Sequence, residues 1–195
     1  MLNLSFKPFP LIETERLRLR KISRKDVNEI FFLRSDKRVL HYLDKAPAKT
    51  KKDAYDFIKI VHDAEKNADG ITWGITLKNI EKIIGTIGFW RMQKEHYRAE
   101  IGYILHPDYW GKGITQEAIA VVIKYGFEVM KLHSIEANVN PDNTASIRLL
   151  EKNGFVREAY FKENYYFDGK FLDSAIYSLI ISDYEKNKLN NTKTL

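Results

Sequence analysis

The chain has 195 residues, 44% apolar and 30% charged, with a formal net charge of +6 and no cysteine. Such a length and balance predict one soluble globular domain, residues 1–195, with a substantial core. The lack of cysteine excludes disulfides, thiolate catalysis and Cys-ligated metals. No apolar run is long enough to span a bilayer. The N-terminus, Met-Leu-Asn-Leu-Ser-Phe-Lys-Pro, has no basic segment leading into an apolar stretch. No signal peptide is therefore expected; a cytoplasmic location is, and a membrane partner is not.

Residues 1–14 read as an irregular lead-in. Period-2 alternation predicts a first strand over 17–22. It carries most of the densest basic run, in which Arg16, Arg18, Arg20, Lys21, Arg24 and Lys25 interleave with Leu17, Leu19 and Ile22. A net positive charge favours an anionic partner: a phosphorylated cofactor, an acidic protein surface or nucleic acid. The alternation reads as the solvated face of a half-buried strand, and nucleic acid is not the expected partner.

Ser23 or Asp26 can start a short helix carrying Val27, Ile30, Phe31 and Leu33, followed by a second helical piece around 36–43. Thr50 with Asp53 opens a longer helix that stops near 68–70. Three strands follow at 71–77, 82–90 and 98–105, joined by a hairpin turn at 78–81 and a connection at 93–97. A helix over 112–130 and a strand over 133–139 come next. Asn140-Pro-Asp-Asn143 then caps a helix over 144–152, which Gly154 ends. Strands at 155–160 and 172–181, with a turn at Asp168-Gly169, close the fold. The Asn- and Lys-rich tail, about 185–195, is expected to be frayed and disordered.

Within this order, Tyr103-Ile-Leu-His-Pro-Asp-Tyr-Trp-Gly-Lys-Gly-Ile-Thr-Gln-Glu-Ala118 is a strand, a Pro-containing turn, a Gly-x-Gly bend and a helix start. Gly111 and Gly113 let backbone approach a ligand and take dihedrals other residues avoid. Free N–H groups and the positive end of the helix dipole point into the bend, a ready site for phosphate or pyrophosphate. Lys112 adds a mobile cation. The dinucleotide fingerprint fails because position 116 is Gln; the triphosphate loop fails because Ile114 follows Gly113. A bare Gly-x-Gly bend is also a common tight strand-to-helix turn.

The longer string from Ile101 to Ile114 resembles the acetyl-coenzyme-A motif of the GNAT N-acetyltransferase superfamily. Its Tyr-Trp-Gly-Lys-Gly form most resembles the ribosomal-protein-alanine N-acetyltransferase branch. The resemblance also takes in Thr14-Glu-Arg-Leu-Arg-Leu-Arg, Asn143-Thr-Ala-Ser-Ile-Arg-Leu-Leu-Glu-Lys-Asn-Gly-Phe155 and Tyr165-Tyr-Phe-Asp-Gly-Lys, and so covers most of the chain. It implies an α+β (mixed α/β) single domain: a central mixed, mostly antiparallel sheet with helices on both faces, whose strands splay apart to admit coenzyme A. It implies acetyl-coenzyme A as co-substrate, and no metal.

Carried over residue by residue, the resemblance gives the backbone N–H groups of Gly111, Lys112, Gly113, Thr115 and Gln116 the pyrophosphate. It gives the backbone of Ile104 and Leu105 the pantetheine arm, paired as an added strand would be, with an N–H near Leu105 polarising the thioester. The superfamily pattern has Gln or Arg at 110 and Gly or Ala at 115; Trp110 is usual in this branch. Thr115 crowds the bend and either weakens pyrophosphate binding or donates a hydroxyl to it.

Asn143 is a favoured helix cap in any protein; the family reading adds a contact to the cofactor arm. Ser146 either sits in the first helical turn or protonates the departing thiolate. Glu100 is the candidate general base, its alternative being a surface carboxylate beside Arg98. Asn138 and Leu150 stand where protein-N-terminal relatives carry a base Glu and an acid Tyr, so that version of the mechanism does not transfer. Deprotonation then runs through ordered water, or the amine binds already neutral. His106 and Tyr103 are near in sequence but receive no role, and the histidines show no metal-ligand spacing.

The reading is acetyl transfer from acetyl-coenzyme A to a primary amine, a protein N-terminus or a small molecule, by direct attack in a ternary complex. No Cys and no Ser/His/acid arrangement supports an acyl-enzyme. The alternatives are a nucleic-acid or acidic-partner binding module and a catalytically inactive acetyl-coenzyme-A sensor. By analogy with relatives, a homodimer through sheet edges or late strands is expected.

Overall fold

Alternating apolar and basic residues at the start of the chain pair as strands in the structure, a computed structural model that describes residues 1–192. Strand β1 (Ile12–Glu13) pairs antiparallel with β2 (Leu17–Lys21), β2 with β3 (Ile71–Leu77), and β3 with β4 (Gly85–Gln93). The register Leu17↔Leu77, Leu19↔Ile75 and Trp73↔Ile87 keeps the apolar set on one side, where all but the half-buried Leu77 are buried. Strand β5 (Arg98–Leu105) pairs in parallel with β6 (Ser134–Val139) through Arg98↔Ser134, Ala99↔Ile135 and Glu100↔Glu136. Strand β8 (Lys170–Ile180) runs antiparallel to β6 and to β7 (Val156–Phe167). The result is a mixed eight-stranded sheet in the order β1-β2-β3-β4-β5-β6-β8-β7, the mixed α+β fold the sequence implies.

Two compact units divide the chain. One holds Leu4–Met92 and Ile101–Val122; the other holds Met1–Asn3, Gln93–Glu100 and the chain from Ile123.

In the first unit a 3₁₀ turn (Arg24–Asp26) leads into α1 (Val27–Ser35), then α2 (Lys37–Leu40) and α3 (Lys51–Lys66). The starts are fixed by capping. Asp26 Oδ2 accepts from the Ser23 N–H (2.7 Å), and Asp53 Oδ2 accepts from the Thr50 N–H (2.9 Å), the reciprocal half of a capping box. Asp36 Oδ1 accepts from the Arg38 N–H at the head of α2. Ile22, Val27, Ile30, Leu33, Ala54, Ile58 and Ile83 form the core beneath α1 and α3, with Ile104 of β5 packed on it. Each fully buried Ile or Leu there contributes roughly 2 kcal/mol.

In the second unit the chain runs from the end of α4 (Ile114–Glu128) through β6, α5 (Thr144–Lys152), β7, β8 and α6 (Ile181–Thr192). Gly154, at φ +86°, ends α5, and the Phe155 N–H donates to the Leu150 carbonyl. This is the left-handed termination that glycine favours.

Several boundaries differ from expectation, beginning with β1, which lies in the stretch read as an irregular lead-in. Strand β4 starts at Gly85 rather than 82, and Arg91 (φ +47°) lies within it. Strand β7 runs to Phe167 rather than 160 because Tyr165, Tyr166 and Phe167 pair with Leu172, Phe171 and Lys170 beyond an irregularity in which Glu163 takes φ +50°. Residues 185–192, expected as a frayed tail, continue α6. Tyr184 stacks on Phe127 at 4.9 Å and donates to Glu128 Oε1, which Lys188 also meets. The expectation for 193–195 lies outside the described residues. Among the described residues, no helix is long and apolar enough to cross a membrane.

Candidate functional site

The bend between β5 and α4 is built by a short series of local bonds. Strand β5 ends at Leu105, and the His106 N–H donates to the Ile84 carbonyl at 2.7 Å. His106 Nδ1 accepts from the Asp108 N–H, capping a 3₁₀ turn over Pro107–Tyr109, and its ring stacks on Phe32 at 4.2 Å. Trp110 Nε1–H then reaches back to the Leu105 carbonyl at 2.9 Å and ties the turn to the strand end. Gly111 and Gly113 follow at φ +70° and +73°, where a Cβ is strained. The Glu117 N–H donates to the Gly113 carbonyl, so the helical ladder begins there. The N–H groups of Gly113 and Ile114 precede the first bond of that ladder, at the N-terminal end of α4.

Among the described residues, a Cβ built on Gly111 meets nothing within 4 Å, and one on Gly113 meets only the Arg16 Nη2 at 3.4 Å. The turn is therefore open, not sealed by side chains. Gly111, Lys112 and Gly113 are exposed, while Thr115 and Gln116 are half-buried on the first turn of α4. An exposed glycine backbone, a helix N-terminus and an exposed Lys112, with Nζ 5.6 Å from the Tyr109 ring centre, fit an anionic group such as a diphosphate.

The bend is braced from a distance of about a hundred residues. Glu117 Oε1 accepts from Thr14 Oγ1 and from the Arg16 N–H (2.9 Å), and Glu117 Oε2 accepts from Arg16 Nε (2.6 Å). Arg16 Nη1 donates to the Lys112 carbonyl at 2.9 Å. Burial alone would raise the Glu117 pKa. The bonds from Thr14 and Arg16 outweigh it and hold the carboxyl below its ordinary value.

This brace was not legible as a site. Thr14 and Arg16 stand in the Thr-Glu-Arg string, but Arg16 reads there only as part of a basic face. Three of its neighbours are paired too: Arg18 with Glu13, Arg20 with Asp26, and Lys21 with Glu65. Cations already matched to carboxylates make a poor nucleic-acid groove.

The expected residues Ile104, Leu105, Gly111, Lys112, Gly113, Thr115 and Gln116 thus lie on one continuous strand, turn and helix start. Glu100, Asn143 and Ser146 belong to the other unit. Glu100 is buried, 6% exposed, opposite Glu136 in the ladder. Arg98 pairs with Glu136. Glu100 is thus a buried carboxylate rather than a surface one. Asn143 caps α5, its Oδ1 accepting from the Ser146 N–H at 3.1 Å; Ser146 sits in the first turn of that helix. Among the described residues no group of His, Asp or Glu could hold a metal ion.

Comparison with known proteins matches residues 16–156 to the acetyltransferase (GNAT) domain. The chain is 37% identical over 172 residues to the uncharacterized N-acetyltransferase YoaA of Bacillus subtilis, covering 88% of this chain and 97% of that one. It is 26% identical to the spermidine N(1)-acetyltransferase of Vibrio cholerae, over 87% of this chain and 95% of that one. The solved ribosomal-protein-S5-alanine acetyltransferase of Vibrio fischeri superposes with a TM-score of 0.79 at 27% identity, over 90% and 98% of the two chains.

Proposed function

The chain belongs to the GNAT acetyltransferase family and is an N-acetyltransferase that moves an acetyl group from acetyl-coenzyme A to an amine; on that premise we propose how its residues divide the work. The bend at Gly111–Gly113 carries the proposal, because two positive-φ glycines open at the mouth of a 15-residue helix offer N–H groups rather than side chains to a diphosphate. Gly111, Lys112, Gly113, Thr115 and Gln116 bind that group through their backbone. The backbone of Ile104 and Leu105 orients the pantetheine arm, and an N–H near Leu105 stabilises charge developing on the thioester oxygen. Asn143 steadies the cofactor arm while capping α5. Ser146 gives a proton to the departing sulfur, and Glu100 takes the proton from the amine, directly or through water. Acetyl-coenzyme A supplies the activated acyl group, and the amine attacks it directly.

The proposed acceptor is an α-amine, as on a protein N-terminus. An α-amino group, with pKa about 8, is partly neutral near pH 7, whereas a Lys-like amine at about 10 is not. A homodimer through the exposed β7 strand and a cytoplasmic location complete the proposal.

The test is a thermal-shift titration with acetyl-coenzyme A, followed by N-terminal peptides and polyamines read by free-thiol release. Stabilisation by the co-substrate and faster thiol release with peptides are expected. Binding without turnover across the whole panel would support the sensor reading instead.

A further inference from the structure

We infer that Arg16 is a positioning residue for the diphosphate cradle, acting through the peptide bond between Lys112 and Gly113. The inference rests on the cofactor reading of the bend and adds to it a residue remote in sequence.

A trans peptide is planar, with its C=O and N–H pointing in opposite directions. Arg16 Nη1 holds the Lys112 carbonyl at 2.9 Å, and its Nη2 lies 3.4 Å from the position a Cβ on Gly113 would take. The Gly113 N–H, on the same peptide plane, must therefore face away from Arg16, towards the open side of the bend. This plane turns over by coupled changes in ψ of Lys112 and φ of Gly113, and Gly113, at φ +73°, is permissive on both sides of φ. An external tie to the carbonyl removes that freedom before any ligand arrives, and binding then bears less ordering cost.

The tie is itself held. The Arg16 carbonyl accepts from the Lys78 N–H at 3.0 Å, its N–H donates to Glu117 Oε1 at 2.9 Å, and Nε meets Glu117 Oε2 at 2.6 Å. The same contacts solve a second problem. Glu117 stands in the first turn of α4, where its charge suits the helix dipole but would repel a bound diphosphate. Thr14 Oγ1 and the two Arg16 donors engage both carboxylate oxygens, so the pair presents little net negative charge to the bend. Arg18, two residues on, pairs instead with Glu13, and supplies a nearby control.

The experiment compares R16M, R16K and R18M in the full chain by calorimetric titration with coenzyme A and dephospho-coenzyme A. Turnover with acetyl-coenzyme A and with S-acetylpantetheine, which lacks the diphosphate, completes the set. R16M should weaken both coenzymes about tenfold, the scale of one charge-assisted hydrogen bond. It should raise KM for acetyl-coenzyme A alike while kcat changes by less than about twofold. Turnover of S-acetylpantetheine should not change, R18M should match wild type, and R16K should recover part of the loss. In the ligand-free protein the Gly113 amide resonance should shift in R16M. Should R16M not fold, R16K carries the same test at an intermediate loss. Unchanged coenzyme affinity in R16M and R16K, or an equal loss with S-acetylpantetheine, overturns the inference while the cofactor reading stands. Failure of the wild type to bind coenzyme A overturns both.

Discussion

Gly111 and Gly113 sit in a backbone region that costs a residue with a Cβ roughly 1–2 kcal/mol, yet they differ in what surrounds them. The space over Gly111 is open, whereas Gly113 faces the Arg16 guanidinium. Gly111→Ala should therefore lower stability by about 1 kcal/mol in chemical denaturation, from backbone strain alone. Glu117 gives a pH signature. Its carboxyl is held below the ordinary 4.5 by Thr14 and Arg16 against the effect of burial. Its contribution to stability is thus fully present above 4.5 and is lost as pH falls through the lower folded value. Thermal melts between pH 5 and pH 3 should show a steeper acid loss in wild type than in Glu117→Gln; parallel curves would contradict the assignment. At this scale the sequence was half legible. The glycines announce themselves by spacing, but Arg16 looks like any base on an amphipathic strand until Glu117 and Lys112, about a hundred residues away, are brought beside it.

Helix starts were the most readable elements because their chemistry is local. Ser23 with Asp26 and Thr50 with Asp53 are reciprocal caps within three residues, and Asn143 caps α5 as its type suggests. Asp26 does double work, since both its oxygens also meet the Arg20 guanidinium, at 2.6 and 3.0 Å. Asp26→Ala should therefore lower unfolding free energy by about 2 kcal/mol, more than a typical cap alone, because the half-buried Arg20 loses its carboxylate partner. A loss below about 1 kcal/mol in urea denaturation would show that solvent replaces the pair. Strand ends were harder to read. The far half of β7 lies beyond a left-handed Glu163 and a register shift, and it is held by cross-strand partners rather than by its own alternation. The helix over 185–192 was missed for a related reason. Its composition is that of a tail, but Tyr184 and Lys188 anchor on Glu128.

At the scale of the molecule, the family and sheet type followed from two motifs at the right separation, whereas strand order and long-range pairing required the structure. The sheet ends in β7, whose hairpin with β8 leaves Tyr166 and Phe171 62% and 64% exposed and in contact with each other at 5.1 Å. If this edge is the proposed dimer face, sedimentation at tens of micromolar should give twice the chain mass, and Phe171→Lys with Tyr166→Lys should return it to one. A monomeric wild type would remove the dimer from the account without touching the enzyme.

The central claim is narrower: the backbone of the paired glycines binds the diphosphate of the acyl carrier. Calorimetric titration of wild type and Gly113→Val with acetyl-coenzyme A tests it most directly. The account predicts saturable binding to wild type and at least a hundredfold weaker binding to a folded Gly113→Val, whose branched Cβ is strained at φ +73° beside Arg16. Equal affinity in the two proteins would contradict it.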